Sequence, residues 1–281
     1  MNCFFKTCTE AVNHTNETKS FGVFFSKTKN QSQNVHIHDC CEIFLCIRGG
    51  KNFLIDDKVY NISDGDLFVI NQFEAHKVVP DVQNEFARYV LHVHPNFLYS
   101  NSFGEANLSE CFYSPTKTNK TSLSTDETAR LIELFESLKN PSPYGDELYK
   151  KIRIIEILLE TSKFFSTHQD SFSKNTNHKT VQLAIDYINS NYSSPLNLET
   201  VAKSAYISPT QLSRLFNHYC GTTVTKYITS KRITEAKKHL LEGKSVTDTA
   251  FLCGFNDYAN FIRTFKKAVG IPPGKYKINF K

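Results

Sequence analysis

Ser208–Phe216 reads SPTQLSRLF, and 49 residues further on Asp257–Phe265 reads DYANFIRTF. The two stretches correspond position by position: Ser208 with Asp257, Leu212 with Phe261, Arg214 with Arg263 and Phe216 with Phe265. The match continues beyond them, pairing Gly221 with Gly270 and Tyr227 with Tyr276. Each copy opens on a residue whose side-chain oxygen can take up an unpaired amide of a first helical turn. Each then places apolar residues at helical spacing (Leu212, Leu215, Phe216; Phe261, Phe265) and closes at a glycine suited to a helix C-terminus. The pattern predicts two small helical units, each burying one stripe and presenting a short polar face. Such a surface touches its partner twice.

The flanking sequence completes two helix-turn-helix units. Leu198–Ala205 leads into a helix over Ser208–Tyr219, and Val246–Leu252 leads into one over Asp257–Val269. Val181–Ser190 opens the region, and Val224–Leu241 joins the two units. At 1.5 Å per residue the joining helix spans roughly 27 Å. Successive major grooves on one face of DNA lie about 34 Å apart. A stiff helix of that length can hold both second helices in adjacent grooves, which favours duplex DNA over single strands. Charge agrees: residues 178–281 carry 15 Lys and Arg against 6 Asp and Glu, a net +9 beside −4 for the remainder of a +5 chain. A basic third on a slightly acidic body implies a polyanionic partner for that third alone.

These residues resemble the C-terminal domain of the AraC/XylS family of bacterial transcription regulators, over about Val181 to Lys277. The resemblance rests on Leu198 and Ala202, the Ser208 repeat, Arg232-Ile233 with Ala236, Leu240 and Leu241, and Gly254-Phe255-x-Asp257. It ends in Phe265-Lys266-Lys267-x-x-Gly270-x-x-Pro273-x-x-Tyr276, followed by Lys277 where the family more often has Arg. With the buried stripes inward, the residues left for base edges are Thr210, Gln211, Ser213 and Arg214 in the first copy. In the second they are Tyr258, Ala259, Asn260, Ile262 and Arg263. Arg suits guanine and Asn or Gln suits adenine. Ile262 suits either a thymine methyl or packing against the joining helix. Lys231, Arg232, Lys266, Lys267, Lys275 and Lys277 are expected on phosphates, where they position rather than read.

The first hundred residues are patterned as strands: Gly22–Ser26, Glu42–Ile47, Asn52–Ile55, Val59–Ile62, Asp66–Ile70 and Ala87–His94. Gly49-Gly50, Asp56-Asp57 and Ser63-Asp64-Gly65 break them, with Asp56-Asp57 a hairpin signal. Short strands with tight turns predict a barrel or double-sheet roll. Ser114–Asp126 reads as a loop. Asp126–Leu138 and Glu147–Phe165 then read as an antiparallel helix pair, separated by Pro141 and Pro143. That pair either packs on the roll or forms a dimer interface.

The predicted fold class is therefore α+β. Residues 1–110 form a roll that senses an effector, 111–168 a helical pair and 169–178 a linker. Residues 179–281 form an all-α DNA-binding domain with two helix-turn-helix motifs on one long helix. Eight cysteines without a CxxC pair read as reduced thiols. No signal peptide or membrane-length apolar run is visible, so the expected location is the cytoplasm, with no membrane partner.

Residues 36–49 spell H-x-H-x3-E-x6-G through His36, His38, Glu42 and Gly49, and Gly65 precedes His76 by eleven positions. This is similar to the two motifs of the cupin superfamily, although Asn71, Phe73 and Pro80 stand where its second motif has Pro, Gly and Asn. The resemblance implies a small cupin-like roll with His36, His38, Glu42 and His76 gathered inside as an effector pocket, and Arg48 at its rim. AraC-type regulators commonly carry such a domain. The same three histidines and carboxylate suit a divalent Fe, Mn, Ni or Zn ion, or else bond one another or a small polar ligand.

The expected function is a sequence-specific transcription regulator, an activator acting with RNA polymerase. Its effector would be a small molecule such as a sugar, its assembly a homodimer, and it would have no enzymatic activity. The alternatives are a metal-dependent cupin enzyme, or a metal sensor, joined to a DNA-binding module. A ligand-independent architectural protein is a third reading.

Overall fold

The computed structural model describes residues 3–28, 35–56, 58–79, 81, 84–113, 118–167, 176–220 and 222–279. The N-terminal half is a roll of two sheets. The larger runs in the order β1 (Phe4–Phe5), β2 (Phe21–Thr28), β8 (Phe86–Val93), β3 (Cys41–Arg48), β6 (Asp66–Ile70), β9 (Lys120–Ser122). The smaller is β5 (Lys58–Asn61), β4 (Asn52–Ile55), β7 (His76–Val79). β3 is the central strand of the site, paired antiparallel with β6 on one side and β8 on the other.

Strand alternation divides the side chains of β3 between two cores. Cys41, Ile43 and Leu45 face outward into a cluster with Leu131, Leu134, Phe135, Ile154, Ile157 and Leu158. Those residues come from α4 (Thr125–Ser137) and α5 (Asp146–Thr167), so the inner face of the helix pair packs on the large sheet. Leu148, Tyr149, Ile152 and Leu159 remain exposed on the outer face of α5. Glu42, Phe44 and Cys46 point the other way, toward the roll interior, where Phe24, Phe53, Phe68 and Phe86 pack.

Three further helices belong to this half: α1 (Cys8–Thr18), α2 (Pro95–Asn101) and α3 (Glu110–Tyr113). None has a sequence signature strong enough to predict it. In α1 the buried residues are Ala11 and Thr15, small side chains one turn apart that make no apolar stripe. Strand β9 lies within the segment read as a loop. It is held because Thr121 is buried and its strand pairs with β6.

The C-terminal half contains α6 (Thr176–Asn191), α7 (Leu198–Ser204), α8 (Pro209–Cys220), α9 (Val224–Leu241), α10 (Val246–Leu252), α11 (Tyr258–Val269) and α12 (Pro273–Asn279). α9 and α10 match their predicted ranges, and α12 had no predicted counterpart. α6 begins three residues inside the predicted linker; residues 169–175, Asp57, Pro80 and Gly221 lie outside the described residues.

The two caps act as the repeat requires. Ser208 Oγ accepts from Gln211 N at 3.2 Å, and Asp257 Oδ1 accepts from Ala259 N at 2.8 Å and Asn260 N at 3.2 Å. Gly270 ends α11 at φ 87°. Gly254 is needed for two reasons: its φ is +75°, and a Cβ there would sit 2.6 Å from the carbonyl oxygen of Ser193. The Gly254-Phe255 pair thus marks where the second unit presses on the chain just after α6.

The two halves dock on each other. Leu54 and Val59 of the small sheet enter the core formed by Val181, Ile185, Leu212 and Phe216. Tyr227 donates its hydroxyl to Asp56 O. Lys237, 1% exposed, holds Asp39 at 2.6 Å and donates to Gln72 O at 3.3 Å. Tyr276 donates to the same Asp39 carboxylate at 3.0 Å.

Candidate effector site and nucleic-acid interface

Four segments bring imidazoles to one carboxylate. β3 contributes Glu42, and β8 places His92 directly across from it in the strand register. His76 starts β7 and exchanges both backbone hydrogen bonds with His36, at 3.1 and 2.9 Å. His38 lies on the stretch leading into β3. Glu42 Oε2 is then 3.0 Å from His38 Nε2, 3.1 Å from His92 Nε2 and 3.3 Å from His76 Nε2. All four residues are buried. The His36 ring stands edge-on to that of His76 with centroids 4.3 Å apart, so it forms the outer wall.

The far nitrogens settle the tautomers. His38 Nδ1 is 3.0 Å from Cys40 O, and His76 Nδ1 is 2.9 Å from Glu74 O. A carbonyl only accepts, so each Nδ1 must carry the proton and donate. Burial drives the His38 pKa down to about 4 despite the pull of Glu42, so His38 is neutral at pH 7. Burial alone would raise the Glu42 carboxyl, but His76, His38 and His92 outweigh it and hold the group well below the usual range. Burial also opposes charge on His92, yet its contacts with Cys8 and Glu42 prevail and raise it to about 9.

Sequence reading found His36, His38, Glu42 and His76 but missed His92. The strand Ala87–His94 was recognised; the alternation that puts His92 on the inward face with Phe86, Arg88 and Val90 was the available signal. The placement of Arg48 at the rim is corrected. It is exposed at the far end of β3, six residues and roughly 20 Å of extended chain from Glu42. The cation that does face the interior is Arg88, buried with its guanidinium 4.7 Å above the Phe86 ring.

On the C-terminal half, Leu212 and Phe216 of α8 and Phe261 and Phe265 of α11 are fully buried. Thr210, Gln211, Ser213 and Arg214 are exposed on α8, as are Tyr258, Ala259, Asn260 and Arg263 on α11. The roll meets the buried stripe of α8 through Leu54 and Val59, and its far end where Lys51 Nζ lies 3.3 Å from His218 Nδ1.

A model described as a helix-turn-helix domain matches residues 201–278, and one described as an AraC-like ligand binding domain matches residues 21–157. The multiple antibiotic resistance protein MarA of Salmonella typhimurium is 34% identical over 106 residues, 37% of this chain and 84% of MarA. This chain belongs to the AraC/XylS family. It is a DNA-binding transcription regulator with an effector-binding N-terminal domain. The HTH-type transcriptional activator RhaR of Cronobacter sakazakii is 26% identical over 256 residues, 86% of each chain. An uncharacterised HTH-type regulator of Pseudoalteromonas carrageenovora is 39% identical over 104 residues, 37% of this chain and 62% of that relative. Among the described residues no helix is long and apolar enough to cross a membrane.

Within this AraC/XylS fold, several residues expected on DNA are engaged elsewhere. Ile262 packs against the second-unit core of Ile233, Phe261 and Phe265. Lys231 is 9% exposed and pairs with Glu235 at 3.0 Å and Asp56 at 3.8 Å. Arg232 donates to Tyr192 O and Ser194 O at 2.8 and 2.9 Å. Lys277 donates to Gly243 O and Lys244 O just past the end of α9. These four are structural positions. The reason is one sequence cannot express: the roll meets Lys231 through Asp56, the chain after α6 meets Arg232, and the turn after α9 meets Lys277. Lys266, Lys267 and Lys275 stay exposed.

Proposed function

We propose that this regulator is a cytoplasmic activator, without enzymatic activity, that places α8 and α11 in successive major grooves of one duplex. It acts as a homodimer at a promoter and engages RNA polymerase there. The observation that carries the reading is the pair of capped helices, each with a buried apolar stripe and an exposed polar face, mounted on a single α9. Arg214, Gln211, Asn260 and Arg263 supply the base-reading chemistry. Lys266, Lys267 and Lys275 supply the phosphate contacts. Selection of binding sites from a random duplex pool, followed by footprinting with purified full-length protein, tests it. Two half-sites one helical turn apart are expected. Arg263→Ala should relax preference at one base pair by about 1–3 kcal/mol. Equal losses on every sequence would reduce Arg263 to a backbone contact.

A specific observation also favours a resident divalent ion in the effector site. Two overlapping sets of donors, His38 with Glu42 and His92, and His36 with His38 and His76, each place one ligand atom per residue within 4.8 Å of the others. Backbone carbonyls fix the outer nitrogens of His38 and His76, the support that metal-binding histidines use. His38, Glu42 and His92 would hold the ion, or His36, His38 and His76 in the overlapping set. Its chemistry would be to anchor an electron-rich group of the effector. Elemental analysis of untagged protein purified without chelator tests this: about one equivalent is expected, and a metal-free protein that refuses added zinc would remove the ion from the site.

A further inference from the structure

A cavity of about 550 Å³ lies where the roll meets the C-terminal half, a volume suited to a small organic molecule. His36 stands on its roll side. α9 turns one face into it, carrying Thr225 and Lys226 with Ser230 one turn further on, and α11 adds Lys267. The charge of this cavity has one sign. Among the described residues that line it there is no carboxylate. Elsewhere on α9 the lysines are matched: Lys231 and Lys238 each pair with Glu235 at 3.0 Å, and Lys237 pairs with Asp39. Among the described residues neither Lys226 nor Lys267 has an ion pair.

Thr222 supplies an independent observation. It borders the same cavity at 6% exposure, and among the described residues its hydroxyl makes no hydrogen bond. A hydroxyl so deeply buried ordinarily has a partner. A polar occupant of the cavity would provide one.

We propose that this cavity binds a small organic phosphate, with Lys226 and Lys267 on the phosphate and the hydroxyls of Thr222, Thr225 and Ser230 hydrogen-bonded to the ligand. Charge and shape set the class. A phosphate monoester carries roughly two negative charges at pH 7, enough to match both lysines, where a carboxylate carries one. Lysine is a compact point charge suited to a tetrahedral anion, whereas the planar fork that favours carboxylates belongs to arginine. No arginine is among the described residues of the lining. The site is separate from the His–Glu cluster and shares with it His36. Its regulatory consequence rests on the reading of Lys267 as a DNA-phosphate contact. A bound ligand and a backbone phosphate would compete for one ammonium group, so filling the cavity should loosen DNA.

The test titrates full-length protein with glycerol 3-phosphate at constant ionic strength, followed by calorimetry in the absence of DNA. Wild type should bind saturably. Lys226→Ala and Lys267→Ala should each weaken binding roughly tenfold, and Thr222→Val about fivefold. Lys203→Ala, which alters an exposed lysine on α7, should leave it unchanged. Glycerate, with a carboxylate on the same three-carbon chain, should bind roughly tenfold more weakly than glycerol 3-phosphate. No saturable binding, or binding undiminished in both lysine variants, overturns the site. Glycerate binding equally well overturns the choice of phosphate. At saturation the ligand should weaken specific DNA binding by wild type but not by Lys226→Ala. Unchanged DNA affinity in protein that does bind the ligand overturns the competition and leaves the site standing. An unaltered salt slope in ligand-free Lys267→Ala removes the DNA contact instead, and with it the competition, while the calorimetry still decides the cavity.

Discussion

Glu42 concentrates the chemistry of the roll because three imidazole nitrogens are aimed at one of its oxygens. The shifts on its neighbours run in opposite directions, and each fixes a pH window for the metal-free protein. His38 is lowered to about 4, so the unfolded chain binds more protons than the folded one between pH 4 and 6.5, and stability falls as pH drops through that range. His92 is raised to about 9, so the folded chain binds more protons between 6.5 and 9, and stability falls as pH rises there. Each arm corresponds to about 3 kcal/mol. Urea unfolding in chelator should therefore be most resistant near pH 6.5, and a flat profile from pH 5 to 9 would contradict both shifts. The basic residues separate in the same way. Lys267→Ala should reduce the magnitude of the salt slope of DNA binding by about one. Lys231→Ala should leave the slope alone and lower stability instead, by removing its pairs with Glu235 and Asp56. Reversed outcomes would exchange their roles.

At the scale of elements, the two reading helices depend on their caps. Asp257 satisfies two amides at the start of α11, so Asp257→Ala should cost about 1 kcal/mol. Because Asn260 sits in that first turn, specific DNA affinity should fall with it. Thermal melts and binding titrations on the same preparation check this, and a loss of neither would mean the helix is held by packing alone. The elements that sequence pattern exposed most clearly were those with a continuous apolar stripe: α4, α5, α8, α9 and α11. Those it hid were short or packed through small side chains. Ala11 and Thr15 hold α1 against β2, and Thr121 is the single buried residue of β9.

At the scale of the whole molecule, Asp39 joins the two halves. It follows His38 in the effector site, yet its carboxylate is gripped by Lys237 on α9 and Tyr276 on α12. Any effector that repositions residues 36–40 therefore acts on the helix carrying both reading helices. An effector can shift that docking only by binding one arrangement better than the other. Lys237→Met leaves a largely buried carboxylate with a hydroxyl partner only, and should weaken docking by about 3 kcal/mol. Hydrogen exchange should rise in residues 36–40 and along α9, with domain cores unchanged. An exchange pattern identical to wild type would mean that the apolar contacts of Leu54 and Val59 suffice to hold the halves together.

The chain's own order of residues determined the two helix-turn-helix units, the roll and most of the histidine site, because caps, stripes and turn residues act within a few positions of one another. Tertiary structure alone decided three things. It placed His92 across from Glu42, a pairing of residues fifty positions apart that depends on strand order and register. It put Cys8 beside them through a helix with no apolar signature. It also withdrew Lys231, Arg232 and Lys277 from the DNA face, because whether a basic side chain meets a phosphate, a carboxylate or a backbone carbonyl is decided only once its helix has packed.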